Sequence, residues 1–105
     1  MPTPRPGRPV RGSTTGRPIM ALLDLLGRRW QLRIIWELRE GALGFRDLQK
    51  RCDGMSPSVL SQRLGELTEA GIIAQLDSQE YELTERGLAL RKALAPLHQW
   101  VADWE

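Results

Sequence analysis

The sequence has little with which to build most kinds of enzyme site. Of its 105 residues one is cysteine, Cys52, and one is histidine, His98. A single cysteine cannot close an internal disulfide or form a Cys-based metal site, and a single histidine cannot form a cluster. There is no Gly-rich phosphate-binding loop and no nucleophile–base pair, so no catalytic residue, metal site or cofactor is expected. No apolar run approaches the roughly 18–20 residues of a membrane-spanning helix. The first residues lack the apolar stretch of a secretory signal. A cytoplasmic setting is therefore expected.

Acidic residues are missing from residues 1–18, which carry Arg5, Arg8, Arg11 and Arg17. Eleven basic and thirteen acidic side chains follow, so the net +2 divides into +4 for this tail and −2 for residues 19–105. Large apolar side chains are also scarce there. Met1 and Val10 stand among five of the seven prolines and Gly7, Gly12 and Gly16. Such a segment cannot bury enough surface to offset its ordering entropy. Residues 1–18 are expected to form a disordered Pro/Arg-rich tail, either a solvated leader or an arm that follows DNA phosphates.

What remains reads as one domain, residues 19–105. Ile19, Met20, Leu22, Leu23, Leu25 and Leu26 form a short helix, apolar on nearly every face, that Gly27 ends. A second helix is expected from about Arg28 to Glu40, with Arg33, Glu37 and Glu40 as its polar stripe and Gly41 as its stop. A third, Phe45 to Arg51, turns Phe45 and Leu48 inward and Arg46, Asp47, Lys50 and Arg51 outward. After the turn at Cys52–Met55, Ser56 and Pro57 supply an N-cap and a first helical position for a fourth helix. Its core stripe is Leu60, Leu64 and Leu67, and Gly71 closes it. Two short strands, Ile72–Leu76 and Tyr81–Thr84, flank a turn at Asp77–Glu80. Thr84 leads into a last helix reaching to about Trp104.

Helix, four-residue turn, helix, hairpin is the order of a winged helix-turn-helix, mainly α with a small β wing (α+β). That order commonly serves DNA binding. Its second helix, 56–70, would enter the major groove by its N-terminal part. At about 100° per residue with Leu60 inward, Ser58 and Gln62 point directly away. Ser61 and Val59 lie on the flanks, and Arg63 is nearer the core. Ser56, Ser58, Ser61 and Gln62 could bond bases or phosphates, Val59 could meet a thymine methyl, and Arg63 could reach guanine or phosphate. Arg46 and Lys50 supply further cations. Glu66 and Glu69 sit at the far end, held off the DNA. Gly65 faces outward and allows close backbone approach.

Leu90, Leu94, Leu97, Val101 and Trp104 recur at spacings of four and three, a heptad seam that Pro96 interrupts. Trp100 widens it. Together with Leu22, Leu23 and Leu26 of the first helix, this is more apolar surface than one small domain can cover. A second subunit is the expected cover. Cys52 is expected to be a small packed residue.

Particular runs sharpen the assignment: Leu23-Asp24-Leu25-Leu26-Gly27-Arg28-Arg29-Trp30, Phe45-Arg46-Asp47-Leu48, Ser56-Pro57-Ser58-Val59-Leu60-Ser61-Gln62-Arg63-Leu64, Leu67-Thr68-Glu69-Ala70-Gly71-Ile72-Ile73 and Tyr81-Glu82-Leu83-Thr84-Glu85-Arg86-Gly87. Over about residues 18–104 the chain resembles the HxlR-type winged helix-turn-helix transcriptional regulators. The resemblance implies a homodimer on an inverted-repeat operator in double-stranded DNA. A repressor is expected, with the sense of regulation left open between repressor and activator, as is an unknown small-molecule effector. It also implies that Pro18 is the proline before the first helix. Arg17 then stands where oxidant-sensing members carry a cysteine, so thiol sensing is not expected. The wing holds Asp77, Glu80 and Glu82 and no Lys or Arg between Ile72 and Thr84, which favours a second reading, a protein-interaction module with little DNA affinity. The arginine tail is expected to supply the phosphate contacts such a wing cannot.

Overall fold

The structure, a computed structural model, describes residues 3–7 and 16–104. Five helices and one antiparallel hairpin follow in order: α1 (Pro18–Leu26), α2 (Gln31–Glu37), α3 (Phe45–Arg51), α4 (Pro57–Glu69), β1 (Ile73–Gln75), β2 (Tyr81–Leu83) and α5 (Glu85–Val101). This is a winged helix-turn-helix. Its core gathers apolar side chains from α1 to β2, among them Leu25, Ile34, Leu38, Leu48, Leu60, Leu64, Leu67, Ile73 and Leu83, and the partly buried Leu90 of α5 packs against it.

The second helix is shorter than its apolar pattern predicts. It starts at Gln31 rather than Arg28 because Trp30, at its N-cap, has a left-handed φ of 82°. Trp30 takes this strained backbone while packing against the core. The helix ends at Glu37 rather than Glu40, and the chain reverses before Gly41, whose φ is 146°. Both strands are also shorter than expected, three residues each. The last helix stops at Val101 rather than Trp104 and carries Pro96 inside it.

The reading motif is built locally. After α3, Asp53 and Gly54 take left-handed φ values of 58° and 70°. The Gly54 amide donates back to the Gln49 carbonyl at 2.8 Å, a turn that closes the helix. The Gln49 amide nitrogen donates to the Met55 carbonyl at 3.0 Å, and Met55 is buried. The turn is thus held at both ends by Gln49 and anchored by the buried Met55. Ser56 then caps α4, its hydroxyl accepting from the Val59 amide at 3.2 Å, with Pro57 in the first turn.

The hairpin pairs Ile73 with Leu83, Ala74 with Glu82 and Gln75 with Tyr81. Leu43, in the α2–α3 loop, adds a bridge to Tyr81 through two reciprocal backbone bonds of 3.0 and 2.8 Å. Thr84 joins wing to α5. Its hydroxyl accepts from the Gly87 amide at 3.1 Å and lies 2.6 Å from the Gly71 carbonyl, to which it donates.

Residues 3–7 lie against the C-terminal end of α4. The Thr3 hydroxyl donates to Glu69 at 2.8 Å, Arg5 pairs with the same carboxylate, and Pro4 is buried. The Gly7 amide donates to the Gly16 carbonyl at 2.8 Å. Arg8 and Arg11, with the rest of residues 8–15 and with residues 1–2, lie outside the described residues, as does residue 105.

Candidate nucleic-acid interface

The N-terminal half of α4 presents a polar face. Ser58, Ser61 and Gln62 are exposed, and Val59 is half-buried, its inner side on the core. The Ser56 hydroxyl is engaged as the helix cap and lies 3.1 Å from the Ser58 hydroxyl. Gly65 is on the exposed side, with nothing within 4 Å of where a Cβ would be. On α3, Arg46 and Lys50 are exposed and take part in none of the ion pairs among the described residues.

Arg63 is placed differently from the expectation that it reaches guanine or phosphate. Its side chain is only 17% exposed. Its Nε donates to the Arg29 carbonyl at 2.8 Å and its Nη1 to Glu66 at 2.6 Å. Its distance from the helix axis to solvent is spent on internal partners, as the core-side position on the wheel allows. Glu66 is the residue that sequence reasoning missed. Instead of standing clear at the far end of a solvated face, its side chain is 7% exposed. It accepts from Arg28, from Arg63 and from Gln31 at 3.1 Å. The one local signal is the Arg63–Glu66 spacing of three, which brings side chains together on a helix. A cavity of about 620 Å³ opens beside this cluster between α1 and α4, with Leu23, Gln62 and Arg63 in its walls.

The wing tip is acidic. Asp77 and Glu82 are exposed and Glu80 is half-buried, and the turn is braced by Gln75, whose amide donates to the Gln79 carbonyl at 3.2 Å.

The residues expected at a subunit interface divide by position. Leu23, Leu97, Trp100, Val101 and Trp104 are exposed, Leu97 by 58% and Trp104 by 69%, whereas Leu22, Leu26 and Leu94 are half-buried. Trp100 and Trp104 face each other at 5.4 Å between ring centroids. Trp36, on α2, is also exposed, with Arg39 over its ring at 3.9 Å and the His98 ring at 5.3 Å.

Cys52 is fully buried in the core. Burial pushes its thiol above the ordinary value. Arg33 opposes this, and Glu37 and Asp53 add to it. Among the described residues no group of three or more His, Cys, Asp or Glu could hold a metal ion. No helix among them is long and apolar enough to cross a membrane.

A capped helix displayed after a clamped turn, with a hairpin behind it, defines a winged-helix transcriptional regulator. Residues 25–105 match the family described as HxlR-like helix-turn-helix, and the chain belongs to that family. It is 31% identical to the uncharacterized HTH-type transcriptional regulator YvaP of Bacillus subtilis, over 78% of this chain and 82% of that one. It is similar to the quinone-bound structure of YodB from the same organism, with a TM-score of 0.74 and 30% identity over 80% of this chain and 93% of that one. The transcriptional repressor BigR of Xylella fastidiosa is also similar, with a TM-score of 0.65 and 30% identity over 75% and 81% of the two chains. The family is one of transcriptional regulators rather than enzymes.

Proposed function

We propose that this regulator works in the cytoplasm as a homodimeric repressor. Two copies of α4 enter successive major grooves of an inverted-repeat operator. The observation that carries this reading is the exposed trio Ser58, Ser61 and Gln62 on a capped helix, together with the exposed α3 cations Arg46 and Lys50, which join no ion pair among the described residues. Hydroxyls and an amide can bond base edges, while the α3 cations meet phosphates on either side. The similarity to a repressor, BigR, supports the sense of regulation.

The quinone bound to YodB supports a small-molecule effector. In this chain Cys52 is buried and its thiol pushed up, so we infer that an effector is held without a covalent bond. The cavity beside Gln62 and Arg63 would bring such a molecule next to the reading helix.

The test is a gel shift with the DNA upstream of the protein's own gene, titrated with salt. The wild type is expected to prefer that DNA over a random duplex. Alanine at Ser58, Ser61 and Gln62 together is expected to abolish the preference. Unchanged affinity and preference in that variant would refute the placement of α4. The acidic wing, with Asp77 and Glu82 exposed, favours the second reading of a protein-interaction module. Absence of any DNA binding at low salt would decide for it.

A further inference from the structure

We propose that Arg63 is a positioning residue that braces the reading helix rather than a contact to DNA. Together with Glu66 it fixes α4 against the end of α1, a helix expected at the subunit interface. The inference rests on the DNA-binding reading above and assigns the specificity of that site to a buried polar knot.

Three side chains, Arg63, Arg28 and Gln31, meet at Glu66, and two further groups, the Arg29 carbonyl and Asp24, hold those arginines, so that four parts of the chain are joined. From α4 itself, Arg63 donates to its carboxylate at 2.6 Å. From the α1–α2 turn, Arg28 pairs with it, and the Arg29 carbonyl accepts the Arg63 Nε at 2.8 Å. From the start of α2, Gln31 donates at 3.1 Å and is itself fully buried. From α1, Asp24 lies 3.4 Å from Arg28. Hydrogen bonds to ionised groups in a poorly solvated place are stronger and more directional than exposed ones. An arginine fork held at two of its nitrogens cannot also present those nitrogens to a base.

The geometry has a mechanical meaning. Arg63 and Glu66 lie at the middle of a 13-residue helix whose first turns do the reading. A helix fixed at its middle has its pitch fixed, and with it the positions of Ser58, Ser61 and Gln62. The other anchor, Asp24, is on α1, part of the surface expected to join two subunits. The knot therefore links reading helix to dimer helix, and so sets the separation of two reading helices on half-sites about 34 Å apart. A DNA-contacting Arg63 would require leaving both the Glu66 carboxylate and the Arg29 carbonyl.

The two roles predict opposite outcomes. The probes are a duplex selected on the wild-type protein from a random pool and a random duplex of the same length. Arg63→Ala leaves Glu66 facing Arg28 and Gln31, so the buried carboxylate keeps a countercharge and the fold is expected to survive. As a brace, its loss leaves the slope of log K against log salt unchanged and lowers the ratio of selected to random binding by about tenfold, the discrimination of one base pair. Arg63→Lys is expected to behave like Arg63→Ala, because an ammonium cannot span both acceptors. Glu66→Gln, checked for folding by circular dichroism, is expected to lose selectivity in the same way, without a further loss in the double variant. A DNA contact instead predicts a slope smaller by about 0.9 in Arg63→Ala, near-normal behaviour in Arg63→Lys, and tighter binding in Glu66→Gln as Arg63 is released. Either of the first two results would overturn the brace alone. A wild type that retains no duplex from the pool would overturn the proposed function and the brace with it.

Discussion

Gly87, in the first turn of α5, lies so close to Ile72 that a Cβ there would come within 2.0 Å of the Ile72 carbonyl oxygen. That oxygen also accepts the Thr84 amide at 3.0 Å, so it is fixed on both sides. The obstacle is backbone, not the flexible end of a side chain. Gly87→Ala is therefore expected to destabilise the fold by about 2–3 kcal/mol through overpacking. Urea unfolding at fixed protein concentration checks it: the midpoint should fall at unchanged slope. A wild-type midpoint would show that α5 can shift away from β1 freely.

Gly65 gives the opposite case, with open space where its side chain would be. Gly65→Ala is expected to stabilise the free protein by about 0.5–1 kcal/mol, the helix-propensity difference. A loss of operator affinity in this more stable variant would show that DNA backbone approaches α4 at that point. Thermal melts and gel shifts on the same preparation separate the two effects.

The exposed Leu97, Trp100, Val101 and Trp104 are apolar surface that water disfavours. Leu97→Glu is expected to weaken subunit association about 100-fold or more by leaving a charge unpaired in the interface. Sedimentation velocity should find a dimer for the wild type at micromolar concentration and a monomer for the variant. A stable wild-type monomer would remove the dimer from the proposed function.

Cys52 predicts indifference to oxidants. A buried thiol with a raised pKa has little thiolate to react. Peroxide or diamide is expected to leave DNA binding intact, and a thiol reagent to label the protein only in denaturant. Loss of binding on oxidation, prevented by Cys52→Ala, would contradict the burial of the thiol in the working state.

Arg5 and Thr3 hold the exposed Glu69 carboxyl below the usual carboxylate range, the Thr3 hydrogen bond contributing most. Because the folded pKa is depressed, the contact stabilises above the ordinary carboxylate value and is lost as pH falls through the folded one. Carboxyl NMR is expected to show Glu69 titrating below the ordinary glutamate range in the wild type and returning to that range in a Thr3/Arg5 double alanine variant. Arg5 sits at the end of α4 away from Ser58, so deletion of residues 1–7 is expected to leave the salt slope of DNA binding unchanged. A flatter slope would restore the phosphate-following arm that the charge asymmetry suggests.

Much of the fold was legible because its signals are local. Ser56-Pro57 before Leu60, Leu64 and Leu67 marks the start and inner face of α4 within a dozen residues, and Phe45–Arg51 is bounded as the sequence predicts. The start of α2 was not legible, since Trp30 leaves helical geometry for a tertiary reason. Glu66 shows the same limit at the site. A glutamate expected only to sit at the far end of the helix, off the DNA, is buried because Arg28, 38 positions earlier, and Gln31 reach it across the fold. No window of sequence contains that meeting. The polar trio on α4 needed only the helical wheel.

The reciprocal bridge between Leu43 and Tyr81 makes each residue's amide the other's protection against solvent exchange. Neither proton can be released without breaking the same pair of bonds. The two amides should thus show matched protection against deuterium exchange, as one cooperative opening unit. Since Leu43 leads directly into α3, that unit joins the turn-side end of β2 to the first helix of the reading motif. Any event that frays one strand edge would loosen the other before either helix unwinds.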